Sequence, residues 1–167
     1  MNQKTKRIAF LGLCTALAMI LSYVETVLPP LWPAIPGIKM GLTNIVVLFL
    51  LYRFSWKEAA LVSSVRLLAV ALLFGNGMTF AYSFAGAFLS LLAMALLKKI
   101  NWFSMIGVSI AGGILHNLGQ IIVAIFFLET IEIGYYMIVL AVTGTIAGAF
   151  VGIAGAIFTK QLKKLDL

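Results

Sequence analysis

One stretch of the chain carries polar side chains in the middle of a long apolar run. The run extends from Ile106 to Phe127, and a helix through it has one polar, small-residue face and one apolar face. The polar face comprises Ser109, Gly112, Gly113, His116, Asn117 and Gln120. The predicted lipid face comprises Ile110, Ile114, Leu118, Ile121 and Ile125. Polar groups in a membrane span turn inward and often mark a binding site; an interhelical hydrogen-bond clamp is the alternative.

A second chemical signal is an arginine halfway along another apolar run. Arg66 at that depth costs about 3 kcal/mol or more, so it requires a partner, a ligand or a water-filled cavity. Arg66, His116 and Gln120 are expected at about 14, 18 and 24 Å from the cytoplasmic helix ends, within reach of one cavity. We predict a substrate site in the outer half of the bundle, formed by Glu25, Lys39, Asn44, Arg66, His116, Asn117 and Gln120.

The charges of these residues indicate what the site would bind. Arg66 and Lys39 outnumber Glu25 when His116 is neutral, which favours a ligand with an anionic or strongly polar group. Two alternatives stay open. Glu25 is also consistent with a solvated carboxylate at the outer membrane surface. A structural bridge between Arg66 and Glu25 is the rival to a site, although their depths differ by about 13 Å of helix rise.

The composition defines the class of protein. Hydrophobic residues make up 63% of the 167 residues and charged residues 10%, with a mean hydropathy of +1.12. These values predict an all-α integral membrane protein of the cell membrane, folded as one bundle. Six spans are predicted at about 8–28, 41–54, 59–74, 80–97, 104–128 and 135–158. We interpret the first as a retained span, because it is long for a signal peptide and lacks a cleavage pattern.

The basic residues predict how the bundle lies in the membrane. With six spans, the Lys and Arg residues other than Lys39 and Arg66 fall on one side, which is therefore the cytoplasmic side. Both termini are expected there, together with the 98–103 loop. The proline-rich loop at 29–42 and the loop at 129–134 are expected outside. In the last span, Gly144, Gly148 and Gly152 lie four apart, a spacing that favours close helix packing.

The sequence contains none of the common catalytic or nucleotide-binding motifs. It has no P-loop, no HExxH, no GxSxG and no Cys and His set with metal spacing. We therefore predict a protein that is not an enzyme and that needs no cofactor or metal. Active transport would have to draw its energy from a partner or an ion gradient. The one cysteine, Cys14, is interpreted as a packing residue.

Several segments resemble one family of membrane proteins over nearly the whole chain. PGIKMGLTNI, SSVRLL, YSFAGAFLSLL and GVSIAGGILHNLGQ are similar to the Gx transporter family, also called heptaprenyl diphosphate synthase component I. The family resembles the substrate-binding S components of energy-coupling-factor transporters, which implies a six-helix bundle that captures a vitamin-like molecule. The resemblance also implies partners, namely a transmembrane coupling subunit and two ABC ATPases. Ala9, Gly12 and Ala16 match the small residues through which such S components contact the coupling subunit.

The family's second label raises another possibility. Prenyl synthases bind magnesium diphosphate through aspartate-rich motifs, and the sole aspartate here is Asp166. The alternative function is therefore a non-catalytic membrane partner in isoprenoid or quinone metabolism. A solitary small-solute carrier is the third possibility, although the chain shows no inverted repeat.

Overall fold

The computed structural model describes residues 2–28 and 41–162, and the helices within them begin where the sequence supplies capping side chains. Ser55 and Ser104 each accept a hydrogen bond from a first-turn amide, and Asn76 forms a reciprocal capping box with Thr79. The helices are α1 Gln3–Val27, α2 Asn44–Arg53, α3 Trp56–Phe74, α4 Gly77–Ile100, α5 Met105–Leu128 and α6 Met137–Leu162, with a 3-10 helix at Ile131–Tyr136 before α6.

The short helix α2 lies at the centre of the bundle and contacts all five other α-helices. Seven of its residues are buried, because it is apolar around its whole circumference. Its ten residues span about 15 Å, roughly half of the apolar thickness of a bilayer. If its basic end at Arg53 lies at the cytoplasmic surface, as the charge distribution predicts, its first residue lies near the middle of the membrane.

Helix α5 packs closely between α4 and α6, because glycines lie at both contacts. A Cβ atom at Gly148 would lie 2.7 Å from Ile110 Cα, and one at Gly119 would lie 2.5 Å from the Ala85 carbonyl oxygen. The α6 glycine spacing therefore serves an internal contact with α5, and this ridge is not open to a second copy of the chain. The polar face predicted for α5 is buried as expected. Ile121, predicted to face lipid, is instead buried against Tyr82.

Helix α1 is the most peripheral helix of the bundle. It packs mainly on α3, and within the described residues it makes no contact with α6. An ion pair between Arg7 and Glu58 joins its N-terminal end to the start of α3. Ala9, Gly12 and Ala16 are exposed on the side away from α3, and a Cβ atom at Gly12 would meet no atom within 4 Å.

Among residues 2–28 and 41–162, four helical segments are long and apolar enough to cross a membrane: α1, α4, α5 and the unit Ile131–Leu162. The membrane-protein class is therefore supported. Helix α2 is too short for a crossing by itself, and α3 carries Arg66 at its middle. Six crossings and cytoplasmic termini stay predictions.

Cysteine labelling tests the topology. In a Cys14→Ala background, a cysteine at Glu132 should react with an impermeant maleimide in intact cells, because the 129–134 loop is expected outside. A cysteine at Trp102, which is 88% exposed, should react only after permeabilisation. Native Cys14 is 6% exposed and its removal should not disturb the bundle. Labelling of the cysteine at position 102 in intact cells would show that the orientation is opposite to the predicted one.

Candidate functional site

A line of hydrogen bonds connects a buried cation to a carboxylate at the start of α2. Arg66 Nη1 donates to Ser22 Oγ at 3.1 Å, and Ser22 Oγ lies 3.1 Å from Thr43 Oγ1. Thr43 Oγ1 donates to Glu25 Oε2 at 3.4 Å. Each hydroxyl thus accepts one hydrogen bond and donates the next, running from the positive end to the negative end.

The same carboxylate binds the backbone at the N-terminal end of α2. Glu25 Oε1 accepts a hydrogen bond from the Leu42 amide at 2.7 Å. The positive end of a helix dipole stabilises a nearby carboxylate, and the Leu42 amide lies in the turn just before α2. The turn that leads into α2 therefore already holds an anionic group.

Arg66 is the only charged residue that is buried in the described part of the chain, with 4% of its surface exposed. Its Nε atom has no hydrogen-bond partner. Arg66 and Glu25 form no ion pair within 4 Å, but the Glu25 charge acts on the guanidinium. The predicted depth difference of about 13 Å is spanned because the long Arg66 side chain meets Ser22, one turn below Glu25, and Thr43 closes the gap. The guanidinium is therefore held in place, but not every one of its N–H donors has a hydrogen-bond partner.

A second polar group lies across the turn that precedes α2. Gly41 has a φ of +80°, and a Cβ atom there would lie 3.0 Å from Asn44 Nδ2 and 3.3 Å from His116 Cδ2. Only glycine suits this turn, because it combines a left-handed backbone with close neighbours. Asn44 and His116 therefore meet at Gly41, next to the residues that hold Glu25.

The histidine is fixed in place by its own helix and by α4. His116 Nε2 lies 3.0 Å from Gln120 Nε2, one turn along α5. With the Gln120 nitrogen donating, the imidazole carries its proton on Nδ1. On its other side the ring packs on Gly86, where a Cβ atom would lie 2.9 Å from His116 Cε1.

The structure brings together most, but not all, of the residues predicted for the site. Glu25 and Arg66 join one group, and Asn44, His116 and Gln120 join the other. The Asn117 side chain turns to α6, where Nδ2 donates to the Leu140 carbonyl oxygen at 2.7 Å. Asn117 thus makes an interhelical hydrogen bond, which was the alternative to a binding role for the polar face of α5. Lys39 lies outside the described residues.

Three residues of the arrangement were not among the predicted site residues. Ser22 and Thr43 supply the two hydroxyls, and Gly41 makes the turn between the groups. Weak sequence signals for them were a serine one turn before Glu25 and a Gly-Leu-Thr-Asn segment after the prolines. Within residues 2–28 and 41–162, no three His, Cys, Asp or Glu side chains come together to hold a metal ion.

These observations define an all-helical membrane protein with a buried polar cluster at the N-terminal end of a short central helix. The chain belongs to the heptaprenyl diphosphate synthase component I family, also called the Gx transporter family, whose family model matches residues 14–158. No curated protein and no solved structure gives a significant match. The resemblance inferred from the sequence segments is thus confirmed for the family.

The contact of Asn117 with α6 leads to a stability prediction. Asn117→Ala should lower the free energy of unfolding by about 1 kcal/mol, because it deletes an interhelical hydrogen bond. The measurement is the thermal unfolding midpoint of purified protein in detergent. Ser90→Ala is the matched control, since Ser90 is equally buried but its hydroxyl has no hydrogen-bond partner. Equal midpoints for the two variants would show that the Asn117 contact contributes nothing.

Proposed function

We propose that the protein is a membrane substrate-binding subunit for uptake of a small vitamin-like or cofactor-precursor molecule. The observation that carries the proposal is the buried cluster around Arg66, which lies at mid-depth in an otherwise apolar bundle. A charged group in this position is costly, and in membrane proteins it commonly marks a substrate pathway. The role is binding and not catalysis, and the location is the cell membrane.

The energy for uptake would come from a partner. The sequence has no nucleotide-binding motif, and the chain resembles the S components of energy-coupling-factor transporters. By that resemblance the partners are a transmembrane coupling subunit and two ABC ATPases. The exposed stripe of Ala9, Gly12 and Ala16 on the peripheral helix α1 suits such a contact, because small residues allow another helix to approach closely.

A substitution in that stripe tests whether the coupling partner binds there. Affinity purification in mild detergent should recover the coupling subunit and the ATPases with the wild-type protein. Gly12→Leu should reduce the recovery at least about tenfold, because the new side chain fills the approach surface. The fold should tolerate this change, since a Cβ atom at Gly12 meets nothing within 4 Å.

Thr145→Leu, which changes an exposed residue on α6, is the matched control and should leave recovery unchanged. Recovery of no module with the wild-type protein, together with full uptake in cells lacking all such modules, would contradict the proposal. That result would favour a solitary carrier.

A second candidate function is a non-catalytic membrane partner in isoprenoid or quinone metabolism, and a groove favours it. Because α1 and α6 do not touch in the described part of the chain, a lateral groove of about 270 Å³ opens between them onto α2. Its lining is wholly apolar and comprises Phe10, Leu13, Cys14, Leu17, Ile45, Val46, Phe49, Phe158 and Leu162. Arg7 and Lys160 lie within three residues in sequence of the lining residues Phe10 and Phe158, which suits a hydrocarbon chain with an anionic head.

Native mass spectrometry of protein purified from its own membrane distinguishes the two functions. We expect a small polar molecule to co-purify with the wild-type protein and to be lost in the His116→Ala, Arg66→Gln double variant. Leu17→Trp, which narrows the groove, should retain it. A prenyl diphosphate that is lost in Leu17→Trp and retained in the double variant would establish the second function and overturn the first.

A further inference from the structure

The polar cluster contains a charge that is incompletely neutralised. Arg66 is 4% exposed, uses Nη1 for Ser22, and has no partner for Nε. A buried donor without a partner is unfavourable, and more so when it is charged. An anion that reaches this guanidinium would recover that free energy, whereas a neutral ligand would recover less of it.

The N-terminal end of α2 supplies donors for the same anion. The Leu42 amide and the Thr43 hydroxyl both point to one carboxylate, that of Glu25. Thr43 is in turn 3.1 Å from Ser22, the residue that Arg66 contacts. The Leu42 amide and the Thr43 hydroxyl therefore form one position that suits a carboxylate, and Ser22 links this position to the guanidinium.

Glu25 occupies part of this set in the structure. It is half-buried and lies in the last turn of α1, next to the outer end of that helix. Its geometry shows that a carboxylate fits the donors: one oxygen takes the Leu42 amide and the other takes Thr43. A ligand carboxylate and the Glu25 carboxylate would repel each other at this distance, so they would compete for one position.

We propose that the ligand is a small organic carboxylate, which displaces Glu25 from the Leu42 amide and the Thr43 hydroxyl and is attracted there by the charge of Arg66. Glu25 is then an internal substitute that occupies the donors in the empty protein and turns towards the outer surface when the ligand enters. The inference rests on the site of the proposed function, and it adds the chemical class of the substrate. It does not depend on a coupling partner.

The test uses purified protein in nanodiscs of neutral lipid, with benzoate as the probe and benzamide as its uncharged analogue. Benzoate should raise the thermal unfolding midpoint in a dose-dependent way, and benzamide should raise it much less. Arg66→Gln should weaken benzoate binding by about tenfold or more, because the cation is lost. Glu25→Gln should strengthen it by about tenfold, because the competing charge is removed.

Two further variants complete the design. Arg66→Lys retains the charge without the planar fork and should bind benzoate more tightly than Arg66→Gln does. Ser90→Ala, a buried change elsewhere, should bind it as the wild type does. If Arg66→Gln does not fold, Glu25→Gln decides alone, since its predicted effect is a gain.

Several outcomes would overturn the inference. These are equal shifts with benzoate and benzamide, an unchanged benzoate response in folded Arg66→Gln, no gain in Glu25→Gln, or a stronger response to inorganic phosphate than to benzoate. No benzoate response in either the wild type or Glu25→Gln would also overturn it. Benzoate binding without recovery of any coupling module contradicts the proposed function alone, whereas a module recovered with a neutral ligand contradicts this inference alone.

Discussion

The fold depends on satisfying the backbone groups at the two ends of the short central helix α2. Buried backbone groups without partners cost free energy, and two of them at α2 take side-chain partners: the Leu42 amide just before the helix and the Leu51 carbonyl oxygen in its last turn. Glu25 binds the Leu42 amide at one end, and Lys98 Nζ donates to the Leu51 carbonyl oxygen at the other. An acid at the N-terminal end and a base at the C-terminal end also oppose the helix dipole. The two surrounding helices that supply them, α1 and α4, are thereby fixed relative to α2.

This constraint explains why polar residues gather at one depth. The end of α2 needs a carboxylate, and a carboxylate inside the bundle is stabilised by a cation. Arg66 is about 15 Å of helix rise from the start of α3, similar to the rise along α2 from Arg53 to Thr43. The hydroxyls of Ser22 and Thr43 join the two charges. The cluster is consequently a structural element of α2, and in the proposed function it also supplies donors for a ligand.

Much of this arrangement was predictable from the sequence, and the failures have physical causes. Periodicity identified the buried face of α5 correctly, because a 3.6-residue repeat is strong in a 24-residue helix. It assigned Ile121 to the lipid, since a helix that packs on two neighbours has a buried arc wider than its polar stripe. Asn117 was grouped with His116 because the two are adjacent in sequence, although the buried arc is wide enough for them to face different helices. Helix rise alone did not predict that Arg66 and Glu25 are linked through the hydroxyls of Ser22 and Thr43. It measures Cα positions and neglects the length of the arginine side chain.

The contact of His116 with glycine has a consequence for the shape of the site. Its imidazole lies against Gly86, where an added Cβ atom would lie 2.9 Å from the ring, and near Gly41, where an added Cβ atom would lie 3.3 Å from it. A ring enclosed in this way has little rotational freedom, so the α5 side of the proposed site is rigid. The opposite wall is built from the half-exposed end of α1 and a glycine turn. The α1 side of the proposed site must therefore adjust to the size of a bound molecule. Molecules that differ in the part that faces α5 should be discriminated most strictly.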